Sequence, residues 1–469
     1  MKQTKKKMVW LVAFLGVGTV GLCAEPFAEG PYLGQIPPGS TPQVFAPGLI
    51  CHTGILESDG TFSADGKVFC YRRGSDVYLT ENTDQGWSTP APVTGLIGEL
   101  TRPTISPDGK TLYFYSSGRL AKADRTSQGW TGQQYLGAPL TSSVWEGGFS
   151  LAANNNFYIC SWRPGGSGGC DIWYAPYRDG TWTEAYNIES VNTNYNECTP
   201  GIAPDESFMV FFSNQPGGTG GKDLHLTLQL PDGSWSTPRR FGEEFYYATP
   251  MGGNHISPDK KYLFFSRSDD IYWVALKTYL PDPNGPITNT TSSQGYHSIQ
   301  LAIDLAEPGD TIIIKPGVYL ESITLDKDIV LQSVDPNDPY YVGGTIIQPK
   351  ANDPVLTLND CSTPCVIAGL TLRAGLVGVL GSSIHATLRN CRVMDNVTHG
   401  MELYEASSPY LEHCLITANG QTGITMYGHG SRHIVHCRPL IKNCFIVDNG
   451  EMALNGGEPE IVDSLIDDE

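Results

Sequence analysis

The sequence predicts an all-β chain built from two successive repeat systems, the first of them a β-propeller. Three observations carry this. One phrase recurs five times between Phe62 and Ser266, and most copies are trailed by a second phrase that opens on Asp. The composition is rich in turn formers and poor in charge, with 53 Gly, 33 Pro and 17% charged residues in 469, and lacks the Ala/Glu/Lys/Leu bias of a helical protein. The length exceeds what a single hydrophobic core serves, so two or three domains are expected.

The five copies are FSADGKVFCYRR from Phe62, SPDGKTLYFYSS from Ser106, SLAANNNFYICSWRPGG from Ser150, IAPDESFMVFFSNQPGG from Ile202 and SPDKKYLFFSR from Ser257. Aligned on Asp65, Asp108, Asn154, Asp205 and Asp259, they stand 43, 46, 51 and 54 residues apart, the period of a four-stranded blade. Each sets a Pro/Ala-Asp-Gly type of turn between a short apolar strand and a run of Tyr, Phe, Val and Ile, which reads as a hairpin. In the third copy Ala153–Asn155 replaces Pro-Asp-Gly, predicting a looser turn. A third strand opens on Asp76, Asp171, Asp223 or Asp270, and a fourth is marked by the Gly-Trp phrases around Trp87, Trp130, Trp182 and Trp235. The result is a propeller of five or six blades.

The string NECTPGIAPDESFMVFFSNQPGGTGGKDLHL and the SPDG phrases resemble the WD40-like repeats of TolB-like propellers, including those fused to peptidoglycan-binding domains in bacterial envelope proteins. The resemblance spans residues 46–278. It implies a fold and leaves function open.

Ahead of it, Lys2, Lys5, Lys6 and Lys7 precede an apolar run from Met8 to Leu22, then small Cys23 and Ala24 and polar Glu25. This predicts a signal peptide over residues 1–24, hence export to the periplasm, cell surface or exterior. Lipoprotein anchoring at Cys23 is the alternative, disfavoured by Leu22 directly before it. No later segment approaches the ~20 apolar residues a spanning helix needs. The net charge of −19 argues against nucleic acid as a partner.

Residues 279–295 read as a Pro/Asn/Ser/Thr-rich linker. Beyond it, a short amphipathic helix (298–306) and brief strands at 311–315, 322–325 and 329–332 surround PGDTIIIKPGVY, and this stretch resembles the entrance of a right-handed parallel β-helix of the pectin-lyase-like type, here over 296–469. LRNCRVMDN, LEHCLITAN and IKNCFIVDN repeat at 23 and 30 residues. They predict an inward ladder of buried thiols at Cys391, Cys414 and Cys444, with Asn396, Asn419 and Asn449 stacked at the next bend. IVDSLIDDE from Ile461 starts a further coil with no visible cap, so a neighbour would cover it or the chain would be part of a longer product.

Export permits disulfides, and Cys160 with Cys170, and Cys361 with Cys365, are the candidate pairs. No CxxC pair points to a metal site. In the propeller, Glu57, Glu99, Glu146 and Glu197 stand eight or nine residues before the repeat Asp or Asn, with Met251 breaking the series. They would ring one mouth of the channel and take a sugar or a hard cation such as calcium, although no cofactor is required. The competing reading has each Glu accepting backbone N–H groups; the repeat Asp residues and Trp residues likewise suit turns and packing. In the β-helix, His399 and Glu402 follow one bend, while Tyr427, His429, Arg432, His433 and His436 crowd an insertion between coils, where a groove would form on one face.

Three functions follow. The first is an exported binding or scaffold protein presenting repeat surfaces to cell-wall or extracellular polysaccharide, or to envelope proteins. The second is a polysaccharide lyase or glycoside hydrolase using the β-helix groove, and the missing paired carboxylates weigh against it. The third is a purely structural surface protein.

Overall fold

The computed structural model describes residues 28–127, 129–216, 221–230, 232–241, 245, 251–361, 365–427 and 437–467, with the backbone alone at Met251. The segment read as a signal peptide lies outside these residues. No described helix is long and apolar enough to cross a membrane.

Five antiparallel blades form the propeller. Their inner strands are Glu57–Phe62, Leu100–Ile105, Glu146–Leu151, Glu197–Ile202 and Met251–Ile256. The repeat turn works identically in all five. Asp65, Asp108, Asn154, Asp205 and Asp259 each accept, through Oδ1, the N–H two residues on, at 3.0–3.2 Å. The intervening residue is left-handed in every blade, φ 61–71°, whether Gly66, Gly109, Asn155, Glu206 or Lys260. The third turn is therefore as tight as the rest, because Asn supplies the same acceptor as Asp and tolerates the left-handed region. Apolar clusters fill each seam between neighbouring blades, and the blade 5 to blade 1 seam is the most aromatic, with Phe45 packed against Phe62, Phe69, Phe264 and Trp273.

Two features depart from the repeat reading. The outer strand of blade 5 is Gln43–Val44, pairing antiparallel with Trp273 and Tyr272, so the ring closes by a strand that precedes the first repeat. The Gly-Trp phrases do not uniformly mark fourth strands. Trp130 lies in one, but Trp182 sits in a side hairpin and Trp235 in an isolated bridge, and blades 3 and 4 end on Tyr186–Asn187 and Arg239–Arg240. Those two strands have only two residues each, too short to leave a sequence signal.

The stretch read as a linker is shared out: Tyr279 and Leu280 pack in the propeller's blade 4 to blade 5 cluster, and the part from Ile287 joins the second domain's sheet. Ile287–Asn289 and Gln294–Tyr296 form a hairpin that adds antiparallel to Thr311–Ile314. Its polar loop is the hairpin turn: Asn289 Oδ1 accepts Thr291 and Ser292 N–H, while its Nδ2 donates to buried Asp310. The helix Ile299–Asp304 then caps the first coil. Glu321 accepts from Ser298, Ile299 and Gln300 at its N-terminus, and Lys327 Nζ donates to the carbonyls of Ile303, Asp304 and Ala306 at its C-terminus. Both ends are thus satisfied.

The chain then winds as a right-handed parallel β-helix of three sheets. One runs from Thr311–Ile314 to Glu460–Val462, the second from Gly317–Leu320 to Leu465–Ile466, and the third from Ile323–Leu325 to Met452–Asn455. Alternate residues point inward to one continuous core. Cys391, Cys414 and Cys444 stack there as free thiols, and Asn419 accepts from Asn396 Nδ2 while donating to Asn449 Oδ1, both at 2.9 Å.

Candidate functional site

The propeller channel is narrow. Each inner strand carries a bulge at the same point, between Ser58/Thr61, Thr101/Thr104, Glu146/Phe149, Cys198/Gly201 and Gly252/His255. The bulges turn Asp59, Arg102, Thr199 and Gly253 toward the axis around a cavity of about 20 Å³. That volume has room for about one water.

The four sequence-predicted glutamates do not line it. Glu57 is fully buried, accepts the His52 N–H at 3.1 Å and pairs with Arg73 at 2.9 Å. Glu146 accepts from Ser142 N at 2.8 Å, and Glu197 from Thr193 N at 2.9 Å and Ser213 Oγ at 2.7 Å. Each of these three carboxylates pins the loop that enters its own blade. Glu99 is more exposed and pairs with Arg72 at 2.9 Å. The backbone of Met251 pairs with Arg267 at the matching position of blade 5.

Cys160 and Cys170 are free thiols, as are Cys361 and Cys365. The first pair is not bonded across neighbouring strands because Cys160 stands opposite Ile172; both sulfurs instead converge with Cys198 from the next blade. Within this trio hydrogen bonds from Cys160 and Cys170, and then Lys222, lower the pKa of the Cys198 thiol.

In the β-helix the structure brings His399, Glu402 and Tyr427 together. Strand Met401–Tyr404 alternates, with Met401 and Leu403 in the core and Glu402 and Tyr404 on the outer face. Parallel register sets Glu402 beside Thr425 and Leu403 beside Met426 on the next coil, which carries Tyr427 alongside Tyr404. The two rings stack with centroids 4.7 Å apart and planes at 14°. Tyr404 Oη donates to Glu402 Oε2 at 2.9 Å. His399 Nδ1 accepts the Thr422 N–H at 3.3 Å, which leaves the proton on Nε2, 3.5 Å from Glu402 Oε1. Burial first, and the neighbouring Glu402 carboxylate second, hold the Tyr404 phenol above its ordinary range, so it stays a donor. Tyr427 is 41% exposed and completes an aromatic surface beside an anchored carboxylate. Tyr404 and Thr425 escaped sequence reasoning, although the outward period of strand 401–404 singles out Tyr404. His429, Arg432, His433 and His436 lie outside the described residues.

Residues 374–468 match the family model described as the right handed beta helix region. No curated protein matches the chain. Among solved structures, the chain is similar to a putative TolB from Agrobacterium tumefaciens, with 17% identity over 46% of this chain and 71% of that one, and a TM-score of 0.33. It is also similar to TolB from Acinetobacter baumannii, with 13% identity over 48% of this chain and 55% of that one, and again a TM-score of 0.33. The protein is a five-bladed β-propeller followed by a right-handed parallel β-helix, and that pairing of folds suggests a binding or scaffold role.

Proposed function

We propose that the chain is an exported binding protein whose β-helix presents the His399–Glu402–Tyr404–Tyr427 face to cell-wall or extracellular glycan. One observation carries the reading: a stacked, outward tyrosine pair stands next to a carboxylate that accepts the hydroxyl of one of its rings and lies beside His399. A sugar ring offers an apolar C–H face to an aromatic surface and hydroxyl donors to a carboxylate, and this arrangement supplies both. The lysine-rich start of the chain and its apolar run support export. Parallel coils fix the spacing of these side chains, so little ordering accompanies binding.

Retention on insoluble peptidoglycan and a panel of polysaccharides tests this, with Tyr427→Ala and Glu402→Gln compared to the parent. Each variant is expected to bind roughly tenfold more weakly. Equal retention removes this face from consideration, and release of unsaturated or new reducing ends would replace binding by catalysis.

A further inference from the structure

Three thiols meet at the seam between blades 3 and 4. Cys160 comes from strand Phe157–Ser161, Cys170 from the residue before strand Asp171–Ala175, and Cys198 from strand Glu197–Ile202 of the following blade. Their sulfurs all lie within 4.8 Å of one another, and the residues are 0, 1 and 4% exposed. Among the described residues this is the one group of three or more His, Cys, Asp or Glu with ligand atoms so close.

The surroundings favour anionic sulfur of the kind a thiophilic ion needs. Thr199 N–H donates to Cys160 Sγ at 3.3 Å, and Lys222 Nζ donates to Cys198 Sγ at 3.3 Å. A Cβ on Gly147 would stand 2.5 Å from Cys160 Sγ, so the absence of a side chain there is what lets the sulfurs converge. Hard ions want oxygen donors, whereas thiolates select soft or borderline metals. Three thiolates around a divalent ion carry one net negative charge, and the Lys222 ammonium cancels it, which lowers the cost of burying the group. A monovalent ion would leave one negative charge over.

We propose that Cys160, Cys170 and Cys198 bind one thiophilic divalent cation, zinc first among them, as a staple between blades 3 and 4. A Zn–S bond of ~2.3 Å places sulfurs roughly 4 Å apart, so the trio closes only slightly on binding. Each sulfur coordinates as thiolate, and its proton, where still present, leaves to solvent. Three ligands leave the fourth tetrahedral position to a solvent oxygen.

The full chain, kept reduced and stripped of metal, is titrated with zinc against a chromophoric chelator and with cobalt(II) for thiolate-to-metal charge-transfer absorption. One ion per chain and a raised propeller Tm are expected. Cys198→Ser and Cys160→Ser should each weaken zinc binding on the order of 100-fold or more, and Cys414→Ala should leave it unchanged. Lys222→Gln keeps all three sulfurs and should weaken binding about fivefold, which holds the proposal to account even where a cysteine variant misfolds. Binding that survives Cys198→Ser overturns it. So does a titration with no uptake, or peptide mapping of the chain isolated without reductant that finds Cys160 and Cys170 joined in a disulfide.

Discussion

His255 makes the propeller sensitive to acid, and the size of the effect follows from its partners. It stands on the inner strand of blade 5 and faces the channel with Asp59 and Arg102. Its Nε2 accepts the Phe62 N–H of blade 1 at 3.0 Å, and its Nδ1 meets Thr61 Oγ1 at 3.0 Å. A proton on Nε2 would abolish the first bond, and burial pushes the ring's pKa down to about 3. In the unfolded chain the ring titrates near 6.5, so between those values the unfolded state binds the extra proton. Stability from this group is therefore complete above about pH 6.5 and falls with the pH until about pH 3. At pH 4.5 the loss relative to pH 7 is about 2.5 kcal/mol, and it changes little if the folded value is 4 rather than 3, because 4.5 lies above both. His255→Gln removes the titration. Urea unfolding can be followed by tryptophan fluorescence, since every Trp from Trp87 to Trp273 belongs to the propeller and none lies beyond it. The advantage of the parent over His255→Gln should shrink by about 2.5 kcal/mol between pH 7 and 4.5. His225, lowered first by burial, acts with the same sign in both proteins and cancels. Parallel stability curves over that range would refute the reasoning.

Three further outcomes are expected. Phe45→Ala, at a fully buried ring beside the closing strand, should cost about 3–5 kcal/mol, seen as a lower urea midpoint of tryptophan fluorescence. Asn419→Ala removes the acceptor of the Asn396 backbone N–H and the main acceptor of its Nδ2, and leaves Asn449 Oδ1 only the backbone N–H of residue 419, and should destabilise the β-helix by about 2–3 kcal/mol in urea followed by tyrosine signals; Asn449→Ala, at a less buried rung, should cost less. Glu206→Ala removes an acceptor shared by Asn154, Asn156 and Tyr158 of the neighbouring blade, leaving the buried Tyr158 hydroxyl unpaired, at about 1–3 kcal/mol in propeller stability.

What could be read from the sequence was whatever a repeat writes within itself. The turn around Asp65 and its four counterparts is local: a side-chain oxygen and an N–H two residues later, with one left-handed residue between. Each copy therefore declares itself, even where Asn154 and Asn155 replace Asp and Gly. The thiol and Asn ladders of the β-helix were legible for the same reason, because a coil of fixed length converts sequence period into spatial stacking. What escaped depends on how units are placed against one another. Cys198 is 28 residues from Cys170 and joins it through the rotation from blade 3 to blade 4, which no period encodes. Gln43–Val44 joins blade 5 from more than 220 residues away, through a two-residue strand. The candidate site divides along the same line. His399, Glu402 and Tyr427 stood out as irregular polar residues, yet their assembly rests on Tyr404 and the parallel register that stacks one coil's Tyr on the next. In a protein of two repeat systems, the repeats specify the scaffold, and chemistry gathers where one unit's departure from the pattern is set against its neighbour's.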